Sequence, residues 1–245
     1  MSQQIIVDRD IEFRGVAYHT ANVKGNMLPE RMTSVDWFDQ RAIDTTYDYT
    51  STLDGTSDAV ALTAGGTNGV TMTTGTTDNE VSFLATGLIF DITQKPTIES
   101  KIQITDVSGT FVYFGFSDAT SETTPAATID ADSGTFTAAA TNAVGFVIDA
   151  DYQTSSLVAA SVNAGGTVQT KDTGIDYTDG QSKILRVEID ASGNASFFVD
   201  GLQEAYIALA VADVPLCAIY NYGTRDNDGA NTVIARYLAK FQDMP

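Results

Sequence analysis

Residues 183–201 read KILRVEIDASGNASFFVDG, and the two halves of this stretch determine the kind of protein the chain makes. Leu185, Val187 and Ile189 alternate with Arg186, Glu188 and Asp190, the period of a strand with one face buried. Ser192-Gly193-Asn194 is turn chemistry. Phe197, Phe198 and Val199 then lead back to Asp200-Gly201, a pair that tolerates the positive φ of a tight hairpin turn. The stretch predicts two antiparallel strands followed at once by a second turn.

The same grammar extends in both directions. Val60 and Leu62, the Gly65-Gly66 turn, then Val70 and Met72 predict a hairpin, with a further turn at Gly75 to Asn79. Val81 to Ile92 runs to Lys95-Pro96, and Ile98, Ile102 and Ile104 carry a strand into Asp106 to Gly109. Phe111 to Phe116 has no polar alternation, so it is expected at the centre of a sheet with both faces covered. Residues 117–142 are small and polar with only Ile129 and Phe136 as anchors, and read as a long loop. Val144 to Ile148, Leu157 and Ala159, and Val168 to Ile175 continue the pattern. Residues 204–212 are rich in alanine, yet Ile207, Leu209 and Val211 sit at period two and Pro215 follows, which favours strand. Leu216 to Tyr222 and Val233 to Phe241 are the last strands, flanking a charged turn, Arg225 to Gly229. In the final one, Val233, Ala235, Tyr237, Ala239 and Phe241 are expected on one face. About a dozen short strands without a helix or a fixed-period repeat predict an all-β, two-sheet antiparallel jelly-roll sandwich over residues 56–245.

Composition agrees. The chain of 245 residues has 32 acidic side chains against 13 basic ones, 25 of the acids are Asp, and Thr occurs 33 times, a balance of turns and strands. A net charge of -19 argues against a nucleic-acid partner. Cys217 has no second cysteine to pair with. Neither a signal peptide nor an apolar run of membrane-spanning length is found, so no membrane is expected and the chain reads as soluble. Between 51 and 182 the only bases are Lys95, Lys101 and Lys171, so the acidic surface belongs mainly to the body. Residues 1–55 differ: they hold Arg9, Arg14, Lys24, Arg31 and Arg41, the single His and the single Trp, without sustained alternation. This segment is expected to be an extended N-terminal arm. Its large apolar groups Phe13, Tyr18, Trp37, Phe38, Tyr47 and Tyr49 are the candidate partner-binding residues, set either to wrap the chain's own sandwich or to clamp a neighbour.

The hairpin Ile184 to Asp190, Ser192-Gly193-Asn194, Phe197 to Gly201, together with the closing strand Ile234 to Gln242, resembles that of concanavalin A-like (laminin G-like) jelly rolls. Tyr113-Phe114-Gly115-Phe116-Ser117-Asp118-Ala119 and Val144 to Asp151 are similar to stretches of tailed-phage virion proteins carrying that sandwich. This resemblance implies a non-enzymatic protein at the virion surface. The leading expectation is a capsid decoration or cement protein that stabilises the shell by interface burial. Its partners would be the major capsid protein and copies of itself, as a homo-oligomer and in one arrangement a trimer. The alternative is a lectin-like carbohydrate-binding module of a head or tail fibre, with a glycan as ligand.

Catalytic and metal constellations are weak in this sequence. Glu188-Ile189-Asp190 begins the carboxylate motif of sandwich glycoside hydrolases, but Ser192 and Gly193 stand where the acid/base is needed, so a solvated strand face is expected. Asp130-x-Asp132, Asp149-x-Asp151 and Asp226-x-Asp228-Gly229 have calcium-like spacing, yet Thr141 takes the twelfth place counted from Asp130, and no cofactor or metal is expected. His19 lacks a nucleophile elbow, and Cys217 lies in an apolar strand as a buried small hydrophobe. Gly65-Gly66 and Gly165-Gly166 are turns. Tyr152, Tyr220 and Tyr222 are read near loop ends, where they could stack on sugar rings or pack in an interface.

Overall fold

The computed structural model describes residues 31–39, 42–46, 48–55, 57–63, 69–121, 128–225 and 232–243. The strands in chain order are β1 (Arg31–Asp36), β2 (Tyr49–Leu53), β3 (Ala59–Leu62), β4 (Val70–Thr73), β5 (Val81–Thr86), β6 (Thr97–Ile104), β7 (Thr110–Ser117), β8 (Asp130–Asp132) and β9 (Thr135–Thr137). They continue with β10 (Ala143–Asp149), β11 (Gln153–Val162), β12 (Gln169–Asp176), β13 (Ser182–Ile189), β14 (Ala195–Val199), β15 (Leu202–Ile207), β16 (Cys217–Thr224), β17 (Thr232–Ala235) and β18 (Leu238–Asp243). One turn of 3₁₀ helix, Ile92–Gln94, is the only helical element among the described residues.

A seven-stranded sheet runs β12-β11-β10-β7-β16-β5-β2, and a nine-stranded sheet runs β15-β14-β13-β6-β17-β4-β3, with β18 also on β6 and β1 on β18. Every pairing is antiparallel, and the sheets stack into the two-layer sandwich that the alternation predicts. Between them lies the main core. Phe146 of β10 meets Phe197 of β14 edge-on at 5.3 Å, Phe90 meets Phe116 at 5.1 Å, and Phe114 stacks on Tyr220 at 5.1 Å. The hairpin of residues 183–201 is β13 and β14. Leu185 faces Val199, Val187 faces Phe197 and Ile189 faces Ala195, all turned inward. Asp190 holds its turn by accepting from the backbone of Ser192 at 2.8 Å and of Asn194 at 3.0 Å. Asp200 (φ 50) and Gly201 (φ 87) make the following turn, as their left-handed preference requires.

β7 is the central strand of its sheet and is buried on both faces. Val112, Phe114 and Phe116 enter the main core, whereas Phe111 and Tyr113 point to the outer face and join a second apolar cluster with Phe83, Val147 and Ile219. What covers this cluster is the segment read as a loop. The part of it that runs from Thr128 forms the hairpin β8–β9 and lays Ile129, Phe136, Ala138 and Ala140 over the sheet. Two sparse anchors suffice because they sit on a continuous apolar floor.

Three other expectations change. The single closing strand is two. Ala235 pairs with Ile102 and Ala239 with Glu99, so four steps on one strand match three on β6, and the extra residue is a bulge at Arg236-Tyr237. That bulge reverses the parity: Val233 and Ala235 face the core, but beyond it Leu238 does, while Ala239 and Phe241 turn outward. The arm expected through residue 55 contributes β1 to one sheet and β2 to the other, so from Arg31 onward it is part of the sandwich. In 204–212 the strand ends at Ile207, and Leu209 takes a positive φ of 49° and points to solvent.

Candidate functional site

Phe13, Tyr18 and Tyr47 of the expected clamp lie outside the described residues. The other three turn towards their own chain. Phe38 and Tyr49 are buried with ring centres 5.9 Å apart, and the Tyr49 hydroxyl donates to Asp36 at 2.7 Å. Asp36 also accepts from the Phe38 backbone at 2.8 Å, so one carboxylate at the end of β1 fixes both aromatics. Burial first, then the Asp36 charge, raises the Tyr49 pKa well above its ordinary value, which keeps the hydroxyl a donor. Trp37 is half-buried, its ring 5.4 Å from that of Tyr237. Tyr220 and Tyr222 are core residues on β16 and not loop-end platforms, because that strand is central and covered on both sides. Tyr152 is exposed, and leans on Phe136 at 4.7 Å.

Of the aspartates with calcium-like spacing, Asp130, Asp149 and Asp151 meet a cation of the chain itself, whereas Asp226 and Asp228 lie outside the described residues. Arg225, directly after β16, sends Nη2 to Asp149 Oδ2 at 2.7 Å, to Asp130 Oδ2 at 3.0 Å and to the Ala131 carbonyl at 3.1 Å, while Nε reaches Asp149 Oδ1 at 3.0 Å. Nη1 donates to Asn79 and lies 3.6 Å from Asp151. Asp149 further accepts from the Ala131 backbone at 2.8 Å. The guanidinium therefore ties β16 and β10 to the β8–β9 hairpin, at the rim of the second apolar cluster. Desolvation pushes the Asp149 carboxyl up to about 6 against the opposing pull of Arg225. The sequence reads Arg225 only as the start of a charged turn; its part in holding Asp130 and Asp149 depends on strand pairing and leaves no local mark.

Among the described residues, the β8–β9 segment covers the middle of the seven-stranded sheet's outer face, and an open polar surface lies on the outer face of the other sheet. There, one rung crosses five strands: Tyr206 of β15 faces Ser196 of β14, Ser196 faces Glu188 of β13, Glu188 faces Thr97 of β6, and Thr97 faces Phe241 of β18. A groove of about 330 Å³ lies along this rung, lined by Lys95, Thr97, Glu188, Ile189, Asp190, Asn194, Ser196 and Asp243. Each charged group has a holder. Lys95 Nζ sits 2.9 Å from Asp243, Arg186 Nε sits 3.1 Å from Glu188, and Asn194 Nδ2 donates to Asp190 at 2.8 Å. Desolvation acts to raise the Asp190 pKa, but the hydrogen bonds from Asn194 and Ser192 outweigh it and hold the carboxyl below its usual range. Arg186 itself lies over the Phe198 ring at 4.2 Å. The result is a prepositioned set of acceptors and hydroxyls, suited to recognising a polyhydroxyl ligand by hydrogen bonds. The hairpin that revealed the fold also carries five of the lining residues, Glu188, Ile189, Asp190, Asn194 and Ser196.

No family profile and no curated protein sequence matches the chain. Among solved structures it is similar to a protein of unknown function from Shewanella oneidensis MR-1, at 11% identity and a TM-score of 0.58 over 87% of each chain. It is similar to the carbohydrate recognition domain of Emp47p, at 12% identity and a TM-score of 0.57 over 86% of this chain and 95% of that one. The catalytic domain of an endo-1,3-β-glucanase (laminarinase) from Thermotoga petrophila RKU-1 gives 10% identity and a TM-score of 0.56 over 86% and 97%. The fold is the concanavalin A-like jelly roll. At such identities the likeness speaks for the fold, and function has to be argued from the site.

Proposed function

We propose that this protein is a non-catalytic carbohydrate-recognition module that binds glycan in the groove on the outer face of its nine-stranded sheet. The observation that carries the reading is that groove: an open channel lined by carboxylates, an amide, hydroxyls and an ammonium, with the Tyr206 ring 48% exposed on the same rung. Sugars are recognised by this combination, vicinal hydroxyls sharing planar acceptors while an apolar ring face rests on an aromatic. The carbohydrate recognition domain and the laminarinase among the similar structures support a glycan as the ligand class. Binding is favoured over hydrolysis because Asp190 is committed to its turn and Glu188 to Arg186. Glycan-array binding of the purified chain, followed by calorimetry, tests the proposal. Glu188→Ala and Tyr206→Ala should each weaken binding by roughly tenfold while leaving the melting temperature near its original value. An array that retains no glycan, or binding indifferent to both changes, would refute it.

A second reading, assembly on a virion shell as a cement or decoration protein, is favoured by a different observation. Leu202, at the start of the edge strand β15 of the nine-stranded sheet, is 69% exposed, and Leu209, in the turn after that strand, is 62% exposed. Large apolar groups on an open edge suit a contact with another protein surface. Sedimentation of the wild type and of a Leu202→Lys, Leu209→Lys variant would show a concentration-dependent oligomer lost in the variant. A wild type that stays monomeric and fails to label virus particles by antibody would leave this reading without support.

A further inference from the structure

Resting on the glycan-binding reading, we infer that the groove selects a neutral oligosaccharide laid across the strands and rejects anionic glycans such as sialylated or uronate chains. The charge count carries the first part. Glu188, Asp190 and Asp243 face Lys95, with Arg186 3.1 Å behind Glu188, so carboxylates outnumber cations even when the arginine is included. The chain around them carries a net charge of -19; the lining cation Lys95 lies 2.9 Å from Asp243, and Arg186, behind the groove, is held between Glu188 and the Phe198 ring. A ligand carboxylate entering here meets fixed negative charge in a recessed site, where screening is weaker than at an open surface. The hydrogen-bond inventory points the same way. Carboxylate oxygens only accept, so the groove asks its ligand for donors, which the unsubstituted hydroxyls of a neutral sugar supply.

Length is set by the strands. The rung from Tyr206 to Phe241 crosses four inter-strand steps, about 19 Å at the spacing of neighbouring strands, which is the reach of several linked sugar rings and not of one. The exposed Tyr206 ring stands at one end of the rung, and the polar groups of Ser196, Glu188 and Thr97 follow it across the strands.

The test is calorimetric titration of the full chain with neutral gluco-, galacto- and mannotrisaccharides, their monosaccharides, 3′-sialyllactose and trigalacturonate. The expected result is a neutral trisaccharide bound at least roughly tenfold more tightly than its monosaccharide and than either anionic glycan, with the anionic penalty shrinking as salt is added. The double variant Glu188→Gln, Asp243→Asn should improve the anionic glycans by roughly threefold or more relative to the neutral one. Anionic glycans binding as tightly as neutral ones, or monosaccharides as tightly as trisaccharides, would overturn the inference and leave the glycan reading standing. Failure of every sugar to bind would instead overturn the glycan reading.

Discussion

Arg225 and Asp149 form a two-pronged contact, Nη2 to Oδ2 at 2.7 Å and Nε to Oδ1 at 3.0 Å, between residues 76 positions apart in the chain. The side chains of both are nearly or fully buried. Asp130 brings a second carboxylate from the β8–β9 hairpin to the same guanidinium. The contact thus decides whether a peripheral hairpin covers the outer apolar cluster.

Removing the cation should be costly. Arg225→Met leaves Asp149 and Asp130 buried without their counter-charge, and a loss of about 3–5 kcal/mol is expected. Chemical denaturation gives the magnitude. Hydrogen exchange gives the location: amides of residues 129–137 should exchange faster than those of β13 and β14. Unaltered protection there would mean that Arg225 does not hold the hairpin.

The same contact sets a pH dependence. Burial pushes the Asp149 carboxyl up to about 6, above its ordinary 3.8, so the folded state binds this proton more tightly than the unfolded chain does. The contribution of this group is therefore full below about pH 4 and is lost as pH rises through about 6. Melting temperatures of the wild type should fall between pH 4 and 6.5 relative to those of Asp149→Asn, whose side chain cannot ionise. A difference between the two proteins that is constant over this range would show that Asp149 titrates as an ordinary carboxylate.

Gly115 and Gly145 face each other across β7 and β10 on the covered outer face, with the Tyr113 ring over them. A Cβ on Gly145 would come within 2.6 Å of the Phe114 carbonyl and 2.8 Å of Tyr113 Cζ. Tyr113 cannot swing away without losing the 2.7 Å bond from its hydroxyl to the Phe116 carbonyl. Gly145→Ala should cost about 1–3 kcal/mol through overpacking, and pairing it with Tyr113→Phe should recover little, since the ring remains. Tyr113→Ala in the same background should relieve the ring contact but not the closer contact with the Phe114 carbonyl, so the double-mutant cycle in denaturation should recover only part of the loss.

Truncation separates the arm from the sandwich. Deleting residues 1–39 removes β1 from β18, and with it Phe38 from the core and Trp37 from Tyr237. Loss of one buried aromatic alone is worth about 3–5 kcal/mol, so this deletion should lower the melting temperature markedly. Phe38→Ala in the full chain is the control and should show part of the same loss. Trp37 is the single tryptophan, so its emission reports the docking of this segment directly. A truncated chain as stable as the full one would mean that β1 contributes nothing to the sandwich.

How much of this was legible in the sequence varies with the range of the interactions. The hairpin of β13 and β14 was readable because its information is local: alternation at period two, Asp190 and Gly193 in one turn, Asp200-Gly201 in the next. β7 was readable because six successive apolar residues admit only a strand covered on both sides. The groove was half legible. Glu188 and Asp190 were recognised as a solvated strand face, whereas Lys95, Thr97 and Asp243 reach it only through the pairing of β6 with β13 and β18. The parity change after Tyr237 could not be read, because a bulge of one residue is defined by the partner strand and leaves no mark in a run of alternating residues.

An all-β chain, its turns, the identity of most strands and a body of excess negative charge follow from neighbouring residues alone. Which face stays open follows from the packing of distant segments. Ile129 and Phe136 close the outer side of the seven-stranded sheet, Arg225 locks that cover to Asp130 and Asp149, and the polar groove beside Tyr206 is left on the opposite sheet. Those outcomes depend on contacts between residues dozens of positions apart, where burial and charge pairing, and not local propensity, select the partner.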